Sequence, residues 1–141
     1  MIERVQMATQ PAPAMPETSD RRKRIFIVDD QAFIAKIIEF NLDRARYQVE
    51  YCRDAEAALI RLKNTPPDLV ISDIFMPKVT GIELCRFVRE TLKLTRLPII
   101  MLTSQGDAGA AEASLNAGAN AFMTKPFSPR ELSAKIDELL R

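Results

Sequence analysis

The chain contains no histidine, which excludes catalytic triads built on imidazole, histidine metal clusters and service as a phosphohistidine donor. Cysteine is scarce: Cys52 and Cys85 are the only two, far apart and each set among apolar residues. That is too little for a disulfide scaffold or a thiolate zinc site, so reduced core thiols in a cytoplasmic protein are expected. Neither sign of charge is in excess, the formal net charge being +1, which argues against binding nucleic acid through a basic face. No run approaches the ~18 apolar residues of a membrane span, and the N-terminus lacks the apolar stretch of a secretion signal. Neither nucleic acid nor a membrane is therefore expected as a direct partner. The four glycines, Gly81, Gly106, Gly109 and Gly118, form no G-x-G-x-x-G or G-K-[ST] pattern, which removes dinucleotide and Walker loops.

With 141 residues there is room for one domain. Residues 1–22 carry Pro11, Pro13 and Pro16 among Ala, Gln, Thr and Ser without periodicity, and a disordered tail is expected ahead of a folded domain over residues 23–141. The run Arg21-Arg22-Lys23-Arg24 reads as solvated chain before a strand. From there short apolar runs alternate with segments of helical period, the pattern of βα repeats around a parallel sheet. Strands are predicted over Arg24–Val28, Gln48–Cys52, Leu69–Ser72, Pro98–Leu102 and Ala121–Thr124, far enough apart for a crossover helix between each pair.

The helices begin at recognisable caps. Thr80-Gly81-Ile82-Glu83 and Ser128-Pro129-Arg130-Glu131 both match the capping box, the second with proline at the first helical position; Asp54 and Asp107 are simpler N-caps. Ile34, Ile37, Ile38 and Leu42 share a face of the first helix, and Leu132, Ile136, Leu139 and Leu140 share one of the last. Both faces should lie on the sheet. The segment 107–117 is rich in alanine and glycine with Leu115 its one large apolar residue, and should be the least firmly anchored helix.

Right-handed crossovers leave few ways to wind five such units. An α/β fold with the flavodoxin-like order 2-1-3-4-5, a five-stranded parallel sheet covered by helices on both faces, places its ligand crevice outside the carboxyl ends of the strands. There the sequence puts Asp29-Asp30 after the first strand, Asp73 after the third, Thr103-Ser104 after the fourth and Lys125-Pro126 after the fifth. Crowded carboxylates repel, which raises their pKa values or demands a cation. Oxygen donors with no softer ligand nearby favour Mg²⁺. Taken singly, Asp30 or Asp73 would pass for a helix cap, Thr103 for a β-branched strand end, Lys125 for a solvated loop cation and Phe122 for a core residue.

Taken in order at strand ends, the "VDD" of Val28–Asp30, the "DIFMPKVTG" of Asp73–Gly81, the "TS" of Thr103-Ser104 and the "KPF" of Lys125–Phe127 give a chain that resembles the response-regulator receiver domain of two-component signalling, the CheY-like fold, over residues 24–141. The resemblance implies that Asp73 is the phosphoacceptor and shares the Mg²⁺ site with Asp30, which would bind directly, Asp29, mainly through metal-bound water, and the backbone carbonyl of Phe75. It implies that Thr103 and Lys125 hold phosphoryl oxygens, that Phe122 occupies the aromatic switch position, and that Pro126 is a cis-proline candidate. Phe75 and Gln105 would flank the path of the hydrolytic water; neither can activate it well, so a long-lived acyl phosphate is expected.

The implied phosphodonor is a sensor histidine kinase or a histidine phosphotransfer protein. The implied output is a downstream protein, or a second copy of the chain, held by a surface of helix 107–117, strand 121–124 and helix 129–140. Because the sequence stops where its last helix stops, a stand-alone regulator or relay shuttle is expected, with intrinsic autophosphorylation and autodephosphorylation and no other enzymatic activity. Two alternatives stand beside this reading. An aspartate-nucleophile phosphatase of the haloacid dehalogenase type needs a second acid two positions after the nucleophile, where this chain has Phe75. A pseudo-receiver docking module would not need the full set of Asp, Thr and Lys.

Overall fold

The three inner strands are apolar runs buried on both faces, the pattern of a parallel sheet with helices on either side. In the computed structural model, which describes residues 21–104 and 108–141, the strands are β1 (Lys23–Val28), β2 (Tyr47–Cys52), β3 (Leu69–Asp73), β4 (Ile99–Thr103) and β5 (Ala121–Thr124). Between and after them come α1 (Ala32–Phe40), α2 (Ala55–Asn64), α3 (Gly81–Arg86), α4 (Ala108–Asn116) and α5 (Pro129–Leu139). The sheet runs β2-β1-β3-β4-β5 with every pairing parallel, the expected order. Residues 1–20 of the tail expected over residues 1–22, the Asp107 cap and Gln105 lie outside the described residues.

Alternate residues of each inner strand feed separate core layers. Phe26, Val28, Val70, Ile99 and Met101 meet Ala58 and Leu62 of α2 and Leu84 and Cys85 of α3 on one side. Ile25, Ile27, Leu69, Ile71, Ile100 and Leu102 meet Ile34 and Ile38 of α1 and Leu132 and Ile136 of α5 on the other. Each such fully buried aliphatic side chain contributes about 1.5–3 kcal/mol relative to exposure, which makes the sheet a firm base for the residues at its ends.

The caps fix where the helices start. Thr80 and Glu83 form both bonds of a capping box, at 3.1 and 2.8 Å. Asp54 accepts from the Ala57 N–H at 2.8 Å and Ser128 from the Glu131 N–H at 3.2 Å, each a cap worth about 1 kcal/mol.

Three sequence readings change and one feature is new. Ile37 is not on the buried face of α1: that stripe runs through Ile34, Ala35 and Ile38 to Leu42, while Ile37 is 41 % exposed and stands with Phe33 and Phe40 on the outer face. Leu115 also turns outward, and α4 rests on the small residues Ala110, Ser114 and Ala117. The basic run before β1 is not all solvated, since Arg24, predicted as the first residue of that strand, pairs with Glu50 at 2.7 Å and donates to the Pro66 and Thr65 carbonyls. Finally α3 passes into a π-helical turn, Phe87–Thr91, that no periodicity announced. From that turn the Arg89 guanidinium donates to the carbonyls of Gly118 and Leu94 and to Asn120 Oδ1, tying down the chain that leaves α4.

Candidate functional site

Strand order reverses between β1 and β3, so the loops after them diverge and leave a crevice at their carboxyl ends. Val28 pairs with Ser72 at the ends of β1 and β3, which sets Asp29 and Asp73 at the same level on adjacent strands. Asp73 pairs with Leu102, Thr103 with Thr124, and the Lys125 N–H donates to the Thr103 carbonyl at 2.6 Å. Four segments separated in sequence thus deliver the expected polar residues to one rim.

Asp29 is 1 % exposed and Asp73 7 %, whereas Asp30 stands in solvent. One carboxylate oxygen from each of the three lies within 4.8 Å of the others, a spacing that a single cation could span. Lys125 Nζ donates to Asp29 Oδ2 at 2.7 Å and lies 3.7 Å from Asp73 Oδ2. Burial pushes the Asp73 pKa above the ordinary carboxylate range; Lys125 pulls it back, while Asp29 and Asp30 push it further up. An all-oxygen set held this close suits a hard divalent ion such as Mg²⁺, which takes one or two carboxylates and keeps several waters.

Thr103 is fully buried at the end of β4, and Phe122, half-buried on β5, packs against the α2–α4 core layer. The Phe75 side chain is 52 % exposed in the loop after β3. The Lys125–Pro126 bond is cis. A cleft of about 220 Å³ opens beside Asp30 between the loops after β2 and β3, lined by Arg53, Asp54, Glu56 and Lys78. Lys78 adopts φ 70°, a left-handed conformation that costs a non-glycine residue about 1–3 kcal/mol and is tolerated where the surroundings enforce it.

Sequence reasoning gave no role at the rim to two residues that shape it. A Cβ on Gly81 would stand 2.1 Å from the Asp73 carbonyl oxygen and 2.8 Å from Met101 Cε, and the Gly81 N–H donates to the Ile74 carbonyl at 2.8 Å. Glycine is therefore required for the loop to close over the end of β3. Tyr51, on the edge strand, donates its hydroxyl to the Asp29 carbonyl at 2.6 Å. Gly81 was visible as the end of the "DIFMPKVTG" stretch; Tyr51 had no signal, because its partner is a backbone atom.

Among known proteins, residues 25–137 match the family described as response regulator receiver domain. The chain is 39 % identical over 119 residues to the alkaline phosphatase synthesis transcriptional regulatory protein PhoP of Bacillus subtilis (strain 168), covering 84 % of this chain and 49 % of that protein. It is 38 % identical over 118 residues to the phosphate regulon transcriptional regulatory protein PhoB of Rhizobium meliloti (strain 1021), covering 84 % of this chain and 52 % of that one. In structure it is similar to a CheY-like response regulator receiver domain protein from Methanospirillum hungatei JF-1, with a TM-score of 0.77, 34 % identity, and coverage of 84 % of this chain and 94 % of that one.

The chain spans about half the length of the curated relatives it matches, so the expectation of a stand-alone regulator draws no support from them. These relatives overturn the expectation that nucleic acid is not a partner. PhoP and PhoB are by name transcriptional regulatory proteins, and the near-neutral charge bears only on the 141 residues of this sequence. Among the described residues no helix is long and apolar enough to cross a membrane. The family match and the shared fold agree with the rim built from Asp29, Asp30, Asp73, Thr103 and Lys125, and the chain belongs to the response regulator receiver domain family.

Proposed function

We propose that the chain accepts a phosphoryl group on Asp73 from a phosphohistidine of a sensor kinase or phosphotransfer protein. The observation that carries this reading is the grouping of Asp29, Asp30 and Asp73 within 4.8 Å, with Lys125 against two of them. Asp73 attacks phosphorus with a carboxylate oxygen; the O–P bond forms as the P–N bond breaks, and the imidazole leaves with the electron pair. A carboxylate nucleophile needs little activation, so alignment and charge neutralisation dominate the barrier. Asp30, Asp29, Asp73 and the Phe75 carbonyl would hold Mg²⁺. When bound, the ion neutralises charge on the phosphoryl oxygens. Lys125, 3.7 Å from Asp73 Oδ2, would supply a second positive charge, and the Thr103 hydroxyl a hydrogen bond.

Phosphorylation places negative charge beside the end of β4. Thr103 turning toward it would vacate space toward which Phe122 on the neighbouring strand can move, and α4, seated on Ala110, Ser114 and Ala117, is the element free to follow. Phe122 lacks a hydroxyl, so its inward state gains burial without a terminal hydrogen bond and the switch depends on packing. The output is this change of surface, or the passing on of the phosphoryl group in a relay. Reaction with donor and water at Asp73 is the only chemistry assigned to the chain. Cys52 and Cys85 are free and buried, in keeping with a cytoplasmic setting.

Mixing the chain and Mg²⁺ with a radiolabelled phosphohistidine protein tests the reading. Rapid stoichiometric transfer, capped at one phosphoryl group per chain, is expected. Catalytic turnover of phosphomonoesters without a lasting adduct would favour the dehalogenase-type alternative instead.

A further inference from the structure

Asp29 sits at the centre of the rim with each of its polar groups engaged. Its N–H donates to the Cys52 carbonyl at 3.1 Å, its carboxylate accepts from the Gln31 N–H at 2.8 Å and from Lys125 Nζ at 2.7 Å, and its carbonyl accepts from the Tyr51 hydroxyl at 2.6 Å. Three of these are contacts that a strand end, a turn and a counter-charge would make anyway. The fourth is a side chain of the edge strand reaching across to a backbone oxygen in the loop that bears both candidate metal ligands.

The peptide unit carrying that oxygen is planar, and its plane contains the Cα atoms of both Asp29 and Asp30. Fixing the carbonyl direction therefore fixes the base from which the two carboxylates depart. Asp29 is buried and otherwise tethered, but Asp30 stands in solvent, and among the described residues its side chain makes no hydrogen bond or ion pair. The orientation of Asp30 thus rests on its backbone. Tyr51 is itself held, its ring packing against the core layer shared with α1 while its strand pairs with β1 through Ile27. Mg²⁺ demands near-ideal octahedral geometry, so an inexact ligand base is felt as lost affinity.

We propose that Tyr51 is a positioning residue for the metal site: its hydroxyl clamps the Asp29–Asp30 peptide and pre-sets the two carboxylates for a divalent cation. It touches neither phosphoryl group nor ion. The inference rests on the reading of Asp29 and Asp30 as metal ligands.

Tyr51→Phe removes the hydroxyl and keeps the ring. Mg²⁺ binding is measured calorimetrically on both proteins, and phosphorylation by acetyl phosphate is followed across a Mg²⁺ series. In the variant the Mg²⁺ dissociation constant and the half-saturating Mg²⁺ concentration should both rise about fivefold, the worth of one neutral hydrogen bond, while the limiting rate at saturating Mg²⁺ is retained. Amide exchange in EDTA should show faster opening confined to residues 29–31. Equal Mg²⁺ affinity in the two proteins overturns the inference. So does weaker binding accompanied by loosening all along β1 and β2, which would mean a damaged strand. A wild-type chain that takes up no Mg²⁺ overturns the metal reading itself along with the clamp.

Discussion

Lys125 and Asp29, ninety-six positions apart, meet at 2.7 Å on the rim, and both side chains are largely withdrawn from solvent. The lysine is thus engaged with the most buried carboxylate of the cluster while standing 3.7 Å from the proposed phosphoacceptor. A phosphoryl group on Asp73 would compete with Asp29 for it, and a divalent ion would relieve Asp29 of the need for it. Charge at this rim is balanced by exchange of partners.

Lys125→Met should therefore leave Asp29 as a buried charge without its cation. In EDTA the loss is expected to be about 3–5 kcal/mol of folding stability, read by urea denaturation. Mg²⁺ should restore part of it. A variant as stable as the wild type in EDTA would show that the pair carries little of the balance.

Stability should also depend on pH through Asp73. Its folded-state pKa is raised, chiefly by burial, so the ionised form opposes folding. That penalty is absent at pH values below the unfolded pKa and sets in as pH rises through the folded one. Asp73→Asn should then be more stable than the wild type at neutral pH in EDTA, with the difference shrinking as acid protonates the wild-type carboxyl. Thermal melts across the pH range check this; an advantage that grows toward acid has the wrong sign.

The order of the sheet, the strand positions and the rim residues were legible because each depends on local chemistry. Apolar runs end where Asp29, Asp73, Thr103 and Lys125 begin, and the structure moved the ends of β3 and β4 by only one residue, taking Asp73 and Thr103 into the strands. What escaped depends on contacts distant in sequence. Ile37 satisfied a helical period and still faces outward, since the sheet accepts a narrower stripe than the apolar residues of α1 offer. Leu115 drew attention by size, yet α4 packs through alanines and Ser114, whose buried hydroxyl has no hydrogen-bond partner among the described residues. The π-helical turn and the Arg89 clamp answer to the Gly118 carbonyl, which no pattern in residues 87–91 could disclose.

Gly81→Ala would drive a methyl group into the Asp73 carbonyl, which a Cβ would approach to 2.1 Å. Because that oxygen is backbone, the end of β3 must shift. A loss of about 1–3 kcal/mol is expected, as for other overpacked sites, together with a slower uptake of phosphoryl group. Urea midpoints and initial rates with acetyl phosphate are the measurements. Wild-type values for both would contradict the close packing described for this loop.

Phe75→Asn tests the lifetime of the acyl phosphate. The exposed phenyl ring cannot orient water, whereas an amide can. Phosphate release should quicken about tenfold, below the ~100-fold that a true general base contributes at the least. An equal or slower release from the variant would remove Phe75 from the account of stability.

The most direct test of the phosphoacceptor assignment is intact-mass spectrometry after incubation with Mg²⁺ and acetyl phosphate, with the modified peptide then located by fragmentation. The wild-type chain should gain the mass of one phosphoryl group, carried on Asp73, only when Mg²⁺ is present, and Asp73→Ala should gain none. An undiminished adduct on Asp73→Ala, or a wild-type chain that stays unmodified under conditions where it binds Mg²⁺, would contradict it.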